Sequence, residues 1–356
     1  MLIPEFWAGK RVLVTGHTGF KGGWLALWLA TLGARVTGYS LAPPSSPNLF
    51  ETLKLDEIVA HVIGDVRDYE KLFNTVKAAQ PEIVFHLAAQ SLVRHSYDYP
   101  VDTYSVNVVG TASLLESLRR IGCARAIVIV TSDKCYEARN AETGYRETDR
   151  MGGHDPYSSS KGCAELVTAA FRSSFFSSDR SNVHRAAVAS ARAGNVIGGG
   201  DWAQDRIIPD AIRAFSHGRP LQVRYPDAIR PWQHVLEPLS GYLLLARRLW
   251  SDGALVAEGW NFGPSADDEW PVRGVVETMV RLWGADAEWE HCSGEHMHEA
   301  SLLKLNCAKA KMRLGWRPRW PLDRALAVTV DWYKSFYNGG NMRAVSLQQI
   351  EEYGHE

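Results

Sequence analysis

A tyrosine and a lysine stand four residues apart in the stretch Tyr157-Ser158-Ser159-Ser160-Lys161. Residues at this spacing share one side of a helix, so the phenol and the ammonium group are expected to lie close together. A phenol normally loses its proton at about pH 10, and a neighbouring positive charge favours the phenolate and lowers that pKa. The pair therefore indicates acid–base chemistry at a hydroxyl group, although such pairs also occur on exposed helices.

A glycine-rich turn near the N-terminus makes the pair more specific. The apolar run Val12-Leu13-Val14 predicts a buried parallel strand, and an apolar helix is expected over residues 24–30. Between them Gly16, Gly19 and Gly22 follow at three-residue intervals. A strand, a glycine turn and a helix in this order present backbone N–H groups and a positive helix end to a diphosphate. This order predicts a dinucleotide site, and the alternative is a tight turn that binds nothing.

The composition is that of a large globular protein. The chain has 356 residues, of which 46% are hydrophobic, and its 39 basic and 40 acidic residues nearly cancel. This balance gives no support for a nucleic-acid or membrane-surface partner. The first residues, Met1-Leu2-Ile3-Pro4-Glu5, lack the pattern of a secretory signal, and no apolar run approaches the roughly 20 residues of a membrane span.

The cysteines and histidines give little support for a metal site. The five cysteines contain no C-x-x-C pair, so reduced thiols and a cytoplasmic protein are expected. His291, Cys292, His296 and His298 lie close together, but their spacing does not repeat that of known zinc ligands. We therefore expect a polar loop there and no metal.

Alternating strand and helix patterns continue to about residue 190. They predict an α/β protein with a doubly wound parallel (Rossmann-type) sheet. After residue 190 the chain is richer in glycine and tryptophan, which suits a smaller substrate-binding domain made mainly of residues 191–356. Segments within 220–264 are expected to cross back into the domain formed by residues 1–190.

The ends of the predicted strands bear on the cofactor. The second strand ends in Tyr39-Ser40-Leu41, without the acidic residue that commonly holds a ribose, so NAD and NADP are not distinguished there. The third strand is predicted to end in Asp65, which could accept a hydrogen bond from an adenine amino group. Alternatively, Asp65 and Asp68 cap the helix that starts near Tyr69. The small residues Ala88 and Ala89 would let a cofactor lie flat against the backbone.

Three stretches together resemble the extended short-chain dehydrogenase/reductases. They are Thr15-Gly16-His17-Thr18-Gly19-Phe20-Lys21-Gly22, Leu87-Ala88-Ala89-Gln90 and Tyr157-x-x-x-Lys161. The family comprises nucleotide-sugar epimerases, dehydratases and decarboxylases. The resemblance implies NAD as cofactor, Tyr157 as base or acid at a sugar hydroxyl, and Lys161 as a ligand of the nicotinamide ribose. It also implies a homodimer or homotetramer that associates through helices over 103–120 and 158–172.

The resemblance carries further positions into the expected site. Cofactor contacts are expected at Thr15, Gly16, Thr18, Gly19, Phe20, Lys21, Gly22, Ser40, Asp65, Val66, Leu87, Ala88, Ala89, Gln90, Asn107, Thr131, Tyr157 and Lys161. Substrate contacts are expected at Gln90, His95, Asn195, Trp202, Arg206, Tyr225 and Arg230. Arg230 is the first choice for the substrate diphosphate, with Asn195 and Arg192 as weaker choices, and cytosine would stack on an aromatic residue such as Trp202 or Tyr225.

The stretch Thr131-Ser132-Asp133-Lys134-Cys135-Tyr136 narrows the resemblance. Family members that dehydrate dTDP-glucose carry Thr, Asp and Glu where this chain has Ser132, Asp133 and Lys134. With residues 193–202 and 230–234, this pattern resembles the members that dehydrate CDP-glucose, on a route to dideoxy sugars of bacterial surface polysaccharide. The plainer interpretation of Asp133 and Lys134 is a salt bridge at a strand end.

The implied reaction is an oxidation, an elimination and a reduction in one site. Tyr157 would take the C4 hydroxyl proton as hydride passes to NAD⁺, with Ser132 bonded to the same oxygen. Asp133 would protonate the departing C6 hydroxyl, and hydride would return to C6. Lys134 is either the C5 base, as a neutral amine, or a charged group that stabilises the enolate. The alternatives are another dehydratase or a 4-epimerase of UDP-, GDP- or dTDP-sugars, and a non-catalytic NAD-binding regulatory protein.

Overall fold

The N-terminal half of the chain alternates strands with helices. The computed structural model describes residues 4–139, 143–176, 186–284, 287–292 and 304–355. The strands of this half are β1 (Arg11–Thr15), β2 (Arg35–Ser40), β3 (Ala60–Ile63), β4 (Ile83–His86) and β5 (Ala126–Val130). The helices are α1 (Pro4–Trp7), α2 (Phe20–Thr31), α3 (Leu49–Thr52), α4 (Tyr69–Ala79), α5 (Val93–Asp98), α6 (Pro100–Tyr104) and α7 (Gly110–Ile121). A π-helical turn over Ser105–Val109 joins α6 to α7, and short 3-10 turns cover Leu55–Glu57 and Asp133–Cys135.

The second half is more irregular. Its helices are α8 (Pro156–Phe175), α9 (Ile207–Ser216), α10 (Leu236–Asp252), α11 (Val272–Trp283), α12 (Leu322–Tyr337) and α13 (Met342–His355). Its strands are β6 (Ala187–Ala193), β7 (Val196–Ile197), β8 (Leu221–Val223), β9 (Ile229–Pro231), β10 (Gln233–His234), β11 (Gly259–Phe262), β12 (Glu269–Pro271) and β13 (Trp289–His291). Short turns of 3-10 helix cover Gly253–Val256 and Ala266–Asp268, and a π-helical turn covers Ala310–Leu314.

Seven parallel strands form the central sheet in the order β11-β6-β5-β4-β1-β2-β3. The predicted doubly wound parallel sheet is therefore confirmed. The strand order reverses direction between β1 and β4, and a ligand cleft forms at this place in open α/β sheets. β3 ends at Ile63, so Asp65 lies in the following loop rather than at the strand end.

The sheet is covered on both faces because its strands are apolar on both sides. Val12 and Val14 pack into the hydrophobic layer that contains α2 and α10, whereas Leu13 packs into the layer of α4 and α7. All three side chains are at most 1% exposed. Burial of a side chain of this size contributes about 1.5–3 kcal/mol, so the strand is held from both layers.

The glycine turn between β1 and α2 is tight. Gly16 has a φ of +77°, and a Cβ atom there would lie 2.7 Å from the backbone nitrogen of Ala88. A Cβ atom at Gly22 would overlap the carbonyl group of Gly16. α2 starts at Phe20, earlier than predicted, so Gly22 lies in its first turn. Larger residues at these two glycines would separate the helix end from the loop after β4.

The chain beyond β6 forms small two-stranded sheets from β7–β10, β12 and β13, which we call the second lobe, and it also returns to the central sheet. β6 continues to Ala193, past the change expected at residue 190, and β11 pairs with it. The segment 220–264 thus contains both small strands of the second lobe and a strand of the central sheet. Within the described residues, none of the helices has the length and apolar character needed to cross a membrane.

Aromatic residues of α12 hold the glycine-rich loop that follows β7. The Trp202 ring lies 5.7 Å from that of Trp332 and 5.2 Å from that of Phe336. The Tyr333 hydroxyl donates to the carbonyl oxygen of Asp201 at 2.5 Å. A side chain at Gly199 would overlap the Trp332 ring, so this loop needs glycine to lie against the helix.

Candidate active site

The carboxyl ends of the central strands open into one cleft of about 1710 Å³. In the sheet Thr15 of β1 is the register partner of His86 of β4, which in turn pairs with Ile129 of β5. The loops that follow these strands therefore leave the sheet at the same edge, which is the place expected for a ligand in this architecture. The second lobe forms the opposite wall.

Most of the residues that the sequence suggests for the site line this cleft. On the cofactor side they are Gly16, Thr18, Gly19, Phe20, Lys21, Gly22, Ser40, Asp65, Val66, Leu87, Ala88, Ala89 and Gln90. At the centre they are Thr131, Ser132, Asp133, Lys134, Tyr157 and Lys161, and on the opposite wall Asn195, Trp202, Arg206, Tyr225 and Arg230. His95 of α5 also lines the cleft. The cleft thus brings the glycine turn, the Tyr–Lys pair and the second lobe together.

Thr15 and Asn107 do not line the cleft, and their side chains form hydrogen bonds with residues behind it. The Thr15 Oγ1 and His86 Nδ1 atoms lie 2.7 Å apart, and the Ala88 amide donates to the same hydroxyl at 3.2 Å. Asn107 accepts from the Gln90 amide at 2.9 Å and donates to the Gln90 carbonyl at 3.0 Å. Both side chains use these hydrogen bonds to fix the loop after β4, and their expected contacts with the cofactor stay predictions.

The Gln90 side chain is also bound within the protein. Its amide nitrogen donates to Thr103 Oγ1 at 2.9 Å, and its amide oxygen accepts from the Leu92 backbone amide at 2.5 Å. Gln90 therefore closes the loop between β4 and α5 and presents little hydrogen-bonding capacity to a ligand. The sequence places such residues near the cleft but does not show in which direction a polar side chain points.

At the cofactor end of the cleft, hydroxyl groups take the place of the usual carboxylate. The Oγ1 of Thr18 and the Oγ of Ser40 lie 2.8 Å apart at the end of β2. Asp65 is bound by Arg67, whose backbone amide and Nε donate to it at 2.8 and 3.0 Å. Mainly through these hydrogen bonds, Arg67 lowers the pKa of Asp65. The cap of α4 is Asp68, which accepts from the Lys71 amide, and Asp65 is not a cap.

Tyr157 and Lys161 both lie on α8 and are buried, 8% and 5% exposed. Asp155 caps this helix by accepting from the Ser158 amide at 2.9 Å, and the Tyr157 amide donates to Ser96 Oγ at 3.1 Å. The caps fix the first turn of the helix, so the phenol enters the cleft at a defined point.

Burial opposes the expected lowering of the Tyr157 pKa. It raises the pKa of Tyr157 to about 12, although a hydrogen bond with Ser132 and the charge of Arg206 act in the opposite direction. Burial likewise lowers the pKa of Lys161 to about 8. Removal from water penalises the charged form of each group.

The turn Ser132-Asp133-Lys134 carries the second set of reactive groups. Ser132 Oγ donates to Asp133 Oδ1 at 2.9 Å and accepts from the Lys134 amide at 3.2 Å. Asp133 is 4% exposed, and its Oδ2 has no hydrogen-bond partner within the described parts of the chain. Burial raises the pKa of Asp133, which favours a protonated carboxyl group. Among the described residues no salt bridge joins Asp133 to Lys134, so the plainer interpretation of this pair is not supported.

Gly194 leaves room for the free oxygen of Asp133. A Cβ atom at residue 194 would lie 2.9 Å from Asp133 Oδ2 and 2.6 Å from Cγ of Pro231. Any larger side chain would therefore press on the carboxyl group. The glycine after β6 serves the reactive turn, a role that its position in the sequence does not reveal.

Lys21 reaches from the glycine turn into the reaction centre. Its Nζ donates to the Tyr242 hydroxyl at 3.4 Å. Burial lowers the pKa of Lys21 to about 7, and the charges of Lys161 and Arg206 add to this effect. The site thus gathers several cationic groups around the Tyr157 phenol.

The second lobe contributes arginines to the cleft. Arg206 forms an ion pair with Asp201 at 2.8 Å, and Arg230 lies on β9 and is 7% exposed. Arg224, which the sequence reasoning missed, lines the same wall and contacts Asp205 at 3.8 Å. In the sequence Arg224 stands out only because it lies close to Arg230. This closeness does not distinguish an arginine that contacts a ligand from an arginine on the surface.

Arg192 is not available to a substrate diphosphate. It lies on β6, is 4% exposed, and is bound by Glu165 of α8 at 2.7 Å. The weaker suggestion of a diphosphate contact at Arg192 is therefore wrong, because a strand residue in the centre of the sheet faces a covering helix.

The structure contains no group of three metal-binding side chains among its described residues. His291 is the last residue of β13, and Cys292 follows it. His296 and His298 lie outside the described residues.

The chain is similar to nucleotide-sugar enzymes along nearly all of its length. The sequence model of the GDP-mannose 4,6 dehydratase family matches residues 13–329. CDP-glucose 4,6-dehydratase of Salmonella typhimurium is 54% identical over 353 residues, which are 99% of this chain and 98% of that protein. dTDP-glucose 4,6-dehydratase of Xanthomonas campestris is 26% identical over 90% of this chain and 92% of its own length.

Solved structures agree with the fold. A dTDP-glucose 4,6-dehydratase from Bacillus anthracis in complex with NAD has a TM-score of 0.76 at 22% identity, over 93% of this chain and 99% of that one. UDP-glucose 4-epimerase from Thermotoga maritima with UDP-glucose has a TM-score of 0.78 at 19% identity, over 92% and 99%. Together with the sequence matches, these similarities establish that the chain belongs to the GDP-mannose 4,6 dehydratase family, within the extended short-chain dehydrogenase/reductases.

Proposed function

We propose that the protein is an NAD-dependent CDP-glucose 4,6-dehydratase, a hydro-lyase that forms CDP-4-keto-6-deoxy-D-glucose and water. The observation that carries this proposal is the buried Asp133 carboxyl group, which has one free oxygen beside Ser132 and the Tyr157 site. An epimerase needs the Tyr–Lys pair but no acid for a leaving hydroxyl group. The relative of 54% identity, a CDP-glucose 4,6-dehydratase, supports the same reaction and the cytidine nucleotide.

The residues of the cleft fit a dinucleotide. The start of α2 points its backbone N–H groups into the cleft beside Gly16 and Gly19, as diphosphate binding requires. The cleft continues past Ala88 to Lys161, which would hold the nicotinamide ribose. Solved neighbours in complex with NAD support the same cofactor. When bound, NAD supplies the hydride acceptor for the sugar C4 and the hydride donor for C6.

The first role of the chain is to move the proton of the C4 hydroxyl group. Tyr157 is the base, and the Ser132 hydroxyl hydrogen-bonds the phenol. To donate to the sugar oxygen, the one hydroxyl proton of Ser132 would turn away from Asp133 Oδ1. Because burial raises the pKa of the phenol to about 12, the positive charges of Lys161, Arg206 and a bound cofactor are needed to make it a base. The proton taken by the phenol would have to return to Asp133 before the next turnover, because Asp133 gives its own proton to the departing hydroxyl group.

The second role is to eliminate the C6 hydroxyl group. Asp133 is the acid, because burial raises the pKa of its carboxyl group and Oδ2 has no hydrogen-bond partner among the described residues. Lys134 lines the cleft next to it and carries the C5 side of the reaction, either as base or as a charge that stabilises the enolate. Asp133 and Lys134 both line the cleft, as this division of roles requires.

The substrate diphosphate is held on the wall of the second lobe. Arg230 and Arg224 both line this wall, and a guanidinium group suits phosphate oxygens because it donates from a planar fork. Among the described residues the ion pair of Arg224 is a long one, to Asp205 at 3.8 Å, so a phosphate would improve its pairing. Trp202 and Tyr225 line the same wall and offer aromatic surface to the cytosine ring.

We also propose that two copies associate through α7 and α8. Val109 precedes α7 and is 54% exposed, and Leu166 of α8 is 60% exposed. Val101 of α6 is 81% exposed, so three large apolar side chains face water near these helices. A second copy would cover them, as the family resemblance implies. Light scattering should show a dimer or tetramer that Leu166→Arg dissociates.

A reducing compartment such as the cytoplasm is proposed from the thiols. Cys123, Cys135, Cys163 and Cys307 carry no disulfide, and two of them are buried in the core. Cysteines without disulfides are typical of cytoplasmic proteins, because the cytoplasm keeps thiols reduced. Fractionation of the producing cells should find the protein with cytoplasmic markers.

Mass spectrometry after incubation with NAD⁺ tests the proposed function. The substrates are CDP-, dTDP-, UDP- and GDP-glucose, each at the same concentration. Loss of one water from CDP-glucose alone is the expected result. An unchanged mass with altered stereochemistry would instead favour a 4-epimerase. Loss of water from another nucleotide sugar would show that the substrate carries that nucleotide instead of cytidine diphosphate.

A further inference from the structure

A buried ion pair lies directly behind the reactive groups, and its residues do not line the cleft. Glu165 follows Lys161 by one turn of α8, and Arg192 lies on β6. Arg192 Nε donates to Glu165 Oε1 at 2.9 Å, and Arg192 Nη2 donates to Oε2 at 2.7 Å. Both side chains are 5% exposed, so this two-pronged pair is almost free of water.

The pair holds both ends of the reactive turn. Thr131, the residue before Ser132, donates its hydroxyl to Glu165 Oε1 at 2.5 Å. Tyr136, which follows the turn, accepts from Arg192 Nη1 at 2.7 Å. One ion pair thus fixes the chain immediately before and immediately after the segment that carries the serine, the aspartic acid and the lysine.

Further hydrogen bonds complete the network. Ser190 donates to Glu165 Oε2 at 2.6 Å, and Arg192 Nη1 also lies 3.3 Å from the Glu147 carbonyl oxygen. The Tyr136 hydroxyl donates to Asn261 Oδ1 at 2.7 Å, which links the turn to β11. Burying two charges costs several kcal/mol per ion, and apolar residues of equal volume are often as stable. Stability alone therefore gives no reason for an ion pair at this place.

We propose that Glu165 and Arg192 are positioning residues, which hold the turn Ser132-Asp133-Lys134 at the cleft and set the charge that Lys161 experiences. The inference rests on the proposed function, because it assigns the turn to the dehydration. Neither residue touches the substrate, and both act through the residues they hold.

The charge of Lys161 depends on all the groups that face it. Burial lowers its pKa to about 8, whereas the Glu165 carboxylate on the same helix raises it. The Cys135 thiol and the Tyr157 phenol also face it, but burial raises the pKa of each, so both are neutral. Burial lowers the pKa of His86 of β4 to about 3, so this ring is neutral as well. Lys21 of α2 is a facing cation. Among the described residues Glu165 is therefore the main negative charge near Lys161.

The Lys161 titration tests the electrostatic part of the proposal. Burial tends to raise the pKa of Glu165, but Arg192 outweighs it, so the carboxylate is charged. Glu165→Gln removes the negative charge and leaves Arg192 unpaired, and the Lys161 pKa should fall by about one unit. Arg192→Gln removes the charge that keeps Glu165 ionised, so burial favours a neutral Glu165, and the Lys161 pKa should fall less than in Glu165→Gln. An NMR titration of isotope-labelled lysine, with Lys161→Met for assignment, measures both shifts without substrate.

Milder variants test the geometric part. Thr131→Val and Tyr136→Phe each remove one hydroxyl group between the pair and the turn and keep the volume. They should lower kcat about ten-fold, leave KM for CDP-glucose within about two-fold, and leave the Lys161 titration in place. Thr131→Ser restores the hydroxyl donor and should restore kcat, whereas a general packing defect would not respond in this way.

Glu116→Gln is the matched control, because Glu116 pairs with Arg119 on the surface of α7. Its kcat and the Lys161 titration should equal those of the unaltered protein. A Lys161 pKa that does not fall in Glu165→Gln, or full kcat in Thr131→Val and Tyr136→Phe, would overturn the proposal. If the unaltered protein fails to dehydrate CDP-glucose while the Lys161 pKa falls in Glu165→Gln, the proposed function fails and the electrostatic role of the pair stands.

Discussion

The Ser132 hydroxyl donates to Asp133 Oδ1 at 2.9 Å, and this leaves Asp133 Oδ2 without a partner among the described residues. One oxygen of the carboxyl group is thus oriented and the other is free to donate a proton. Gly194 keeps space beside that free oxygen. This arrangement is what an acid for a departing hydroxyl group requires.

Asp133→Asn should abolish the elimination and spare the preceding oxidation. The amide is similar in size but supplies no acidic proton, so kcat for dehydration should fall by roughly a hundred- to ten-thousand-fold. Reduced cofactor should accumulate, which absorbance measures in a single turnover. Asp227→Asn is the control, because Asp227 is 85% exposed. Unchanged dehydration in Asp133→Asn would remove the residue from its role.

Gly22→Ala should weaken cofactor binding. Its new methyl group would overlap the Gly16 carbonyl, so the turn must open and the helix end must move. We expect the dissociation constant of NAD⁺, measured by calorimetry, to rise at least about ten-fold. In Gly274→Ala the new methyl group would lie 3.7 Å from the Trp270 ring, and binding should be unaltered. Equal dissociation constants for the two variants would contradict the assignment of the turn.

Arg224→Gln and Arg230→Gln should weaken the substrate and not the cofactor. A hydrogen bond to a charged group contributes about 1.5–3 kcal/mol, so KM for CDP-glucose should rise roughly ten- to a hundred-fold. The dissociation constant of NAD⁺ should stay within about two-fold. Arg273→Gln removes an arginine that pairs with exposed Asp227 and serves as control. A larger effect on NAD⁺ binding than on KM for CDP-glucose would show that these arginines bind the cofactor and not the substrate.

Glu237 should make the stability of the protein fall as the pH rises. It is fully buried on α10 and accepts from the Trp320 amide at 2.7 Å and from the Tyr353 hydroxyl at 2.8 Å. Burial raises its pKa from 4.5 to about 7. Between these values the folded chain holds a proton that the unfolded chain has lost. The stabilisation is complete below pH 4.5 and is lost as the pH rises to about 7, by about 3 kcal/mol.

Glu237→Gln does not titrate and isolates this effect. The free energy of unfolding of each protein is measured with denaturant across this pH range. The unaltered protein minus the variant should give a difference that decreases towards pH 7. A difference that is flat or increases with pH would show that the carboxyl group keeps an ordinary pKa in the fold.

The sheet was predictable because its signals are local and strong. Continuous apolar runs such as 126–130 specify strands that are buried on both faces, and the four-residue spacing of Tyr157 and Lys161 places both on α8. The glycine turn was predictable for the same reason, since three glycines between a strand and a helix have few other uses. The convergence of these elements at one edge then follows from parallel strand order.

The charge states and inward contacts were not predictable from the sequence. The pKa of Tyr157 depends on how much water the second lobe excludes, and this is a property of the assembled cleft. Thr15 and Asn107 stand at expected positions in the sequence, but their side chains turn away from the cleft towards His86 and Gln90. Arg224 and Asp205 meet only because the second lobe folds, so no local pattern pairs them.

The most direct test of the account follows a deuterium atom from C4 of the sugar. CDP-glucose deuterated at C4 is converted in ordinary water with NAD⁺, and the product is analysed by NMR and mass spectrometry. The account predicts a product that has lost one water and carries the deuterium at C6. Deuterium that remains at C4 of a sugar of unchanged mass would contradict the dehydratase assignment and favour an epimerase.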